Sequence, residues 1–345
     1  MHGRRDWTRE SLAEGVRTGD RRALARAISL IENGDPLAYD LVHDIYPETG
    51  RTYAVGITGP PGVGKSSLIS TLIGQVRAQG RTIGVLSVDP SSPFTQGALL
   101  GDRIRLSDHF LDPGVFIRSM GTRGHLGGLA ETSLQALLVL DAAGKELVFL
   151  ETVGAGQSEV EVIGIADTVV LVLMPGSGDS VQALKAGIME IPDVIAINKM
   201  DHPAAKTMLN EVRSILSLDK DRSWMPPIVL TEATTGQNVP ELLEKIEAHR
   251  AHLESEGHLE ERRRKNLAGE VFAIASGRAK AHLEQAVADD PELRRLLDEV
   301  QRRELDPLTA VKEIMEKVFH LSGARVQPGS GEQSDGDKTD RTDTR

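Results

Sequence analysis

The sequence predicts an α/β fold: a mostly parallel sheet in a three-layer arrangement, with helices on both faces. Two observations predict it. Short apolar stretches of strand length recur between residues 53 and 230, without the alternation expected of a half-solvated strand. Segments of helical character lie between most of them, so successive strands connect by crossovers and run parallel. Composition permits such a core: 39% of residues are hydrophobic and 26% charged, which excludes global disorder.

Residues 1–50 read as short helices, because Ala23, Leu24, Ala27, Ile28 and Ile31 recur at helical spacing and Gly34-Asp35-Pro36 ends the segment. This is expected to be a packing extension rather than a site. Strands are expected at 53–58, 82–88, 115–118, 147–150, 168–173, 194–197 and 228–230. Helices are expected at 65–79, 126–143, 180–190, 204–216 and 239–250. Beyond residue 250 the strands stop. Residues 251–322 read as helices rich in Glu, Arg and Leu, broken at Asp289-Asp290-Pro291 and Asp306-Pro307. From Gln327 onward no aliphatic or aromatic residue occurs, which predicts a disordered tail over 326–345. The resulting scheme is a helical extension over 1–50, a sheet domain over 51–250, a helical region over 251–325 and the tail.

Lys and Arg number 40 against 51 Asp and Glu, a net charge of −11. Such a surface repels phosphate backbones and anionic membranes, so neither nucleic acid nor membrane is expected as a partner. Cysteine is absent, which excludes disulfides, thiol catalysis and thiolate metal sites and fits the cytoplasm. No apolar run reaches membrane-spanning length, and the opening Met-His-Gly-Arg-Arg-Asp-Trp leads into charged sequence without an apolar core, so no secretory signal is expected.

The strongest motif is Gly59-Pro60-Pro61-Gly62-Val63-Gly64-Lys65-Ser66, which matches G-x-x-x-x-G-K-[ST] between a predicted strand and a predicted helix. Gly62 and Gly64 let the backbone wrap so that its N–H groups converge on phosphate oxygens. The helix N-terminus adds partial positive charge. Lys65 reaches the β- and γ-phosphates, and the Ser66 hydroxyl is a ligand for Mg²⁺. These features are those of a P-loop NTPase fold.

Asn198-Lys199-Met200-Asp201 follows the predicted strand 194–197. The Asp201 carboxylate can accept from guanine N1–H and the 2-amino group together. Adenine presents no such pair, and a site built on hydrogen bonds rejects the analogue lacking them. Asn198 can bridge loops, and the Lys199 stem can cover the base. In the loop 230–234, Ala233 is small enough for its N–H to approach guanine O6, with Thr234 beside it.

Three acids complete the expected site. Asp89 ends a strand, Asp102 lies in a glycine-punctuated loop, and Glu151 ends the strand 147–150 ahead of Gly154. A carboxylate at a strand C-terminus faces the ligand crevice of an open α/β sheet. Gly154 can sense the γ-phosphate through its N–H. A bound cation makes the convergence of Asp89, Asp102 and Glu151 tolerable, so these acids with Ser66 form the expected metal set. The loop 175–180 leads into a helix carrying Lys185.

The ordered set resembles the SIMIBI class of P-loop GTPases, and within it the MeaB/ArgK/MMAA-type chaperones of adenosylcobalamin-dependent acyl-CoA mutases. The matching stretches are 59–67, 88–92, 101–103, 118–124, 151–159, 175–185 and 198–201, within a resemblance covering roughly residues 20–320. The resemblance implies a homodimer with a central G domain over 51–250 and a C-terminal dimerisation arm over 251–325. It implies GTP/GDP as ligands, Mg²⁺ as cofactor, and adenosylcobalamin only through the client mutase, whose loading and protection GTP hydrolysis would gate. On this resemblance Lys65, Asp102, Glu151 and Lys185 carry catalysis. Gly59, Gly62, Val63, Gly64, Lys65, Ser66, Ser67, Gly154, Asn198, Lys199, Asp201, Ala233 and Thr234 bind the nucleotide. The loop 175–185 would be an additional switch. The loop at Ala233 reads Thr-Glu-Ala-Thr where a Ser-Ala-Lys sequence is common.

Rival readings use the same cradle. A metal-delivering GTPase of the class commonly needs Cys-containing motifs, and His249, His252 and His258 read instead as solvated helix histidines. A protein-targeting GTPase would bring a Met-rich or RNA-binding module, whereas Arg262-Arg263-Arg264-Lys265 reads as an ion-paired helix face. A small-molecule or protein kinase would not explain the guanine reader.

Overall fold

The computed structural model describes residues 7–89, 106–121, 128–152, 164–177, 191–218 and 223–319. The helix expected at 180–190, the loop acid Asp102, Gly154, Lys185 and the tail 326–345 lie outside the described residues. Two compact units divide the chain, Met1–Arg278 and Ala279–Arg345.

Three helices open the first unit: α1 (Arg9–Arg17), α2 (Arg21–Glu32) and α3 (Pro36–Ile45). Each starts where a side-chain oxygen takes up orphan N–H groups. Thr8 and Ser11 form a reciprocal cap on α1. Asp20 accepts from Arg22 and Ala23 at 2.7 and 3.1 Å, and Asp35 accepts from Leu37 at 3.0 Å ahead of a proline at the first helical position.

The α/β body follows as β1 (Tyr53–Thr58), α4 (Lys65–Ala78), β2 (Ile83–Asp89), β3 (Val115–Gly121), α5 (Gly128–Ala142), β4 (Leu147–Thr152), β5 (Thr168–Leu173), β6 (Val194–Ile197), α6 (Ala205–Leu216), β7 (Ile228–Leu230) and α7 (Val239–Ser255). Among the described residues these strands form one seven-stranded sheet in the order β3-β2-β4-β1-β5-β6-β7, with every neighbouring pair parallel. Side chains alternate between its faces. Val55, Ile57, Val85, Phe149, Val170 and Val172 share an apolar cluster with α4 and α7. Ala54, Leu86, Phe116, Val148, Leu150 and Val169 share another with α1–α3 and α5. A smaller cluster joins Leu171, Leu173, Ile195 and Ile197 to α6. The N-terminal helices thus close one face of the sheet. Leu24 and Ile28 on α2 are fully buried, and each such side chain contributes about 1.5–3 kcal/mol.

β2, β3 and β4 run one to three residues past the apolar stretches that announce them. Ladder pairing carries them on: Asp89 pairs with Gly121, Val88 with Thr152, and Ile57 with Glu151. Glu151 is therefore a strand residue, not the first residue of a loop.

After α7, helix α8 (His258–Asp289) begins within the first unit; α9 (Pro291–Gln301) and α10 (Pro307–Phe319) belong to the second. The proline breaks became helix starts. Asp290 caps α9 and Asp306 caps α10 by accepting backbone N–H groups at 2.8–3.0 Å. Within the second unit Lys317 pairs with Glu292, and His282 packs on Phe319.

Candidate nucleotide site

β1 lies between β4 and β5, so the chain reverses its direction of sheet growth at this strand, and a crevice opens beyond its C-terminal end. The loop 59–64 occupies that position. Gly59 has φ +140, and a β-carbon there would meet the Val172 carbonyl oxygen at 2.0 Å; only glycine lets the loop lie this close to β5. Gly64, φ +98, is the N-cap of α4 and offers no side-chain cap to the first turn. A β-carbon on Gly64 would meet Asn198 Nδ2 at 2.4 Å. A helix N-terminus without a side-chain cap presents N–H groups and partial positive charge to an anion.

Lys65 and Ser66 are buried at the start of α4. The Lys65 ammonium donates to the carbonyls of Gly59 at 2.6 Å and Pro60 at 3.0 Å. The Ser66 hydroxyl donates to Glu151 Oε1 at 2.6 Å. Ser87, opposite Glu151 in the β2–β4 ladder, donates to Oε2 at 2.8 Å. One carboxylate, 5% exposed, thereby gathers hydroxyls from α4 and β2. Thr152 donates to Thr58 Oγ1 at 3.2 Å and ties the ends of β4 and β1.

The second half of the site lies beyond β6 and β7. Asn198, 2% exposed, donates through Nδ2 to the Val63 carbonyl at 2.9 Å and accepts from the Ala233 N–H at 3.1 Å. It joins the phosphate loop to the loop after β7 directly. The N–H of Ala233, expected to approach a base oxygen, is engaged by Asn198. Lys199 has φ +58, and its ammonium reaches the Gly62 carbonyl at 3.2 Å. Asp201 and Thr234 are exposed, and Thr234 donates to Glu232 at 2.6 Å.

The structure thus brings Gly59, Gly62, Val63, Gly64, Lys65, Ser66, Ser67, Glu151, Asn198, Lys199, Asp201, Ala233 and Thr234 to the C-terminal edge of the sheet. Asp89 ends β2 at the same edge. Sequence reasoning missed Ser87 and Thr71. Ser87 had a faint signal, a polar residue inside an apolar strand. Thr71, on α4, donates to the Ala233 carbonyl at 2.8 Å and had none. Hard oxygen donors from Ser66 and Glu151, already within hydrogen-bonding distance of each other, fit Mg²⁺.

The histidines depart from expectation. His249 on α7 is buried, not solvated. Its Nδ1 lies 2.8 Å from the Thr168 hydroxyl, and Nε2 lies 3.4 Å from Asp193. Burial pulls it down to about 4, against the opposing attraction of Asp193.

A family model described as methylmalonyl-CoA mutase-associated GTPase MeaB matches residues 24–288. Over 314 residues the chain is 47% identical to a Pyrococcus abyssi protein, a GTPase by description, covering 90% of this chain and 97% of the relative. It is 32% identical over 319 residues to the GTPase ArgK of Escherichia coli, covering 89% and 96%. The mitochondrial methylmalonic aciduria type A homolog of Mus musculus is 33% identical over 273 residues, covering 74% of this chain and 66% of that protein. A crystal structure of a LAO/AO transport system kinase superposes with a TM-score of 0.69 at 27% identity, covering 90% of this chain and 98% of that one.

Proposed function

The chain belongs to the MeaB family of methylmalonyl-CoA mutase-associated GTPases, and on that premise we propose that its GTP hydrolysis gates adenosylcobalamin loading and protection of a cobalamin-dependent acyl-CoA mutase. It is a P-loop GTPase. The observation that carries the reading is the Asn198 side chain, which holds Val63 of the phosphate loop and Ala233 of the base-side loop at once. Such a knot makes recognition of the base and grip on the phosphates one event.

In this reading Lys65 leaves the Gly59 and Pro60 carbonyls for the β- and γ-phosphates, where it meets full negative charge. Ser66 and Glu151, with Asp89 and Asp102, would hold Mg²⁺, which when bound neutralises charge on the phosphate oxygens. Ser87 holds the Glu151 carboxylate in position. Asp201 accepts from the guanine edge, Lys199 covers the base, and Gly154 and Lys185 act from the switches.

The protein would act as a homodimer through residues 251–325. Val271 and Phe272 on α8 are 57% and 72% exposed, apolar area of the kind such contacts bury. A chain ending at residue 278 that still sedimented as a dimer would restrict the contact to the first unit.

The test is nucleotide turnover with and without a purified mutase of this cofactor class, in the wild type and in Asp201→Asn. Wild type should prefer GTP and speed up with the mutase. Asp201→Asn should prefer xanthosine triphosphate, since an amide can donate to its 2-oxygen. A variant that keeps guanine overturns the base assignment, and a rate indifferent to every mutase of the class overturns the gating role.

A further inference from the structure

Away from the nucleotide site, the turn between α7 and α8 gathers three potential metal ligands. His252 lies in the last turn of α7, and Glu256 follows one turn later as its C-cap residue. Gly257, at φ +70, reverses the chain so that His258 opens α8 beside them. One nitrogen from each imidazole and one carboxylate oxygen all lie within 4.8 Å of one another. His258 Nδ1 is 3.2 Å from Glu256 Oε2, and His252 Nδ1 is 3.8 Å from Oε1.

These separations are close to what a small cation requires. Bonds of about 2.0–2.2 Å in a tetrahedron put ligand atoms roughly 3.3–3.6 Å apart. One pair is already that close, and rotation of exposed side chains brings in the rest. The His252 ring is held in advance: it packs against Trp224 at 4.9 Å and 31°, and the Trp224 indole donates to the Asp193 carbonyl at 2.8 Å. A pre-oriented imidazole loses less entropy on binding. The negative end of α7 and the positive end of α8 meet at this turn. Their fields oppose, so the ligands themselves supply the affinity.

We propose that His252, Glu256 and His258 bind one divalent transition-metal ion, of the zinc, cobalt or nickel kind, which fastens the α7–α8 turn. Two imidazoles and one carboxylate suit such borderline ions and not the oxygen-preferring Mg²⁺. Three protein ligands leave an outward position for water or an external ligand. Fastening this turn matters because Arg262 and Arg263, one turn farther along α8, grip the sheet domain through Asp193 and Asp167.

The experiment uses the untagged full chain, stripped of metal and nucleotide, titrated with Co²⁺ and back-titrated with Zn²⁺. One equivalent of Co²⁺ should give visible absorption of a low-coordinate N₂O site, which Zn²⁺ then abolishes. Affinity should fall at least about tenfold in His252→Asn, Glu256→Gln and His258→Ala; Glu256 and His258 are exposed, so those two variants keep the test independent of the packing of His252 on Trp224. Zn²⁺ should raise the thermal midpoint of the wild type and not of His258→Ala. Absence of stoichiometric Co²⁺ absorption in the wild type overturns the proposal. So does absorption of equal strength in the three variants, which assigns the ion to other ligands such as Ser66 and Glu151.

Discussion

The two edges of the sheet both bury charge, and they do so differently. At the N-terminal edge acids meet bases or backbone directly. Arg262 grips Asp193 through two bonds at 3.0 and 2.7 Å. Arg263 grips Asp167 through two bonds at 2.7 Å and also donates to the Gly50 and Thr52 carbonyls. Asp141 accepts from the N–H groups of Gly50, Arg51 and Thr52 at 2.6–3.2 Å. At the C-terminal edge Lys65 donates to the Gly59 and Pro60 carbonyls, and Glu151 accepts from the Ser66 and Ser87 hydroxyls, among their contacts. Bidentate Arg–carboxylate pairs have strong, fixed geometry. Single bonds to loop carbonyls and hydroxyls lack that fixed fork. One edge is clamped by bidentate pairs, and the other carries the single bonds that the proposed nucleotide binding would exchange.

Breaking the closed edge should have the largest effect. Arg263→Ala leaves Asp167, almost wholly buried, without its guanidinium, and stability should fall by about 3–5 kcal/mol in urea unfolding. Turnover per folded molecule should be unchanged. A drop in turnover as large as the drop in stability would show that the edges are not separable.

The converse variant is Lys65→Ala. GTP turnover should fall roughly 10²–10³-fold, the usual cost of a donor placed for transition-state charge. The melting midpoint should hold near wild type. A midpoint depressed as far as that of Arg263→Ala would reassign Lys65 to structure.

His249 tests the closed edge by titration. Its ordinary value is 6.5, and desolvation holds it near 4, with Asp193 and Asp167 opposing the shift and Arg262 and His252 adding to it. The folded state therefore prefers the neutral ring. Its contribution is complete above about pH 6.5 and is lost as pH falls toward 4, amounting to about 3 kcal/mol. Urea midpoints across that window should fall more steeply for wild type than for His249→Gln. Equal slopes would place the titration elsewhere.

The smallest effect expected is that of Thr71→Val. It removes the bond to the Ala233 carbonyl that ties α4 to the base-side loop, worth about 1 kcal/mol. KM for GTP should rise a few-fold while kcat stays. A change in kcat alone would mean that the tie serves the chemistry and not the loop.

The fold was legible where burial and period agree. β1, β5 and β6 occupy the apolar stretches that predict them, because both faces of those strands are covered, and the edge strand β7 does so with Val229 buried and Ile228 and Leu230 half-buried. β2, β3 and β4 extend farther because ladder hydrogen bonds, not hydrophobicity, end them. His249 was misread because a histidine in a charged helix gives no local sign of facing inward. In the basic run at 262–265, read as an ion-paired face, Arg262 and Arg263 are ion-paired, and their partners lie 69 and 96 residues back in the chain.

What the sequence determined by itself is contiguous: the strand–helix alternation, the glycine loop with its lysine and serine, and the Asn198–Asp201 run after a strand. Each is a run of neighbours whose chemistry is complete within a few residues. Only the tertiary structure decided that Ser87 stands across from Glu151, that Thr71 holds Ala233, that Asn198 knots two loops, and that Gly257 folds His258 back toward His252. Hydrogen bonds and metal ligation act over a few ångströms, and the chain reaches those distances through packing, which leaves no periodic trace in the sequence.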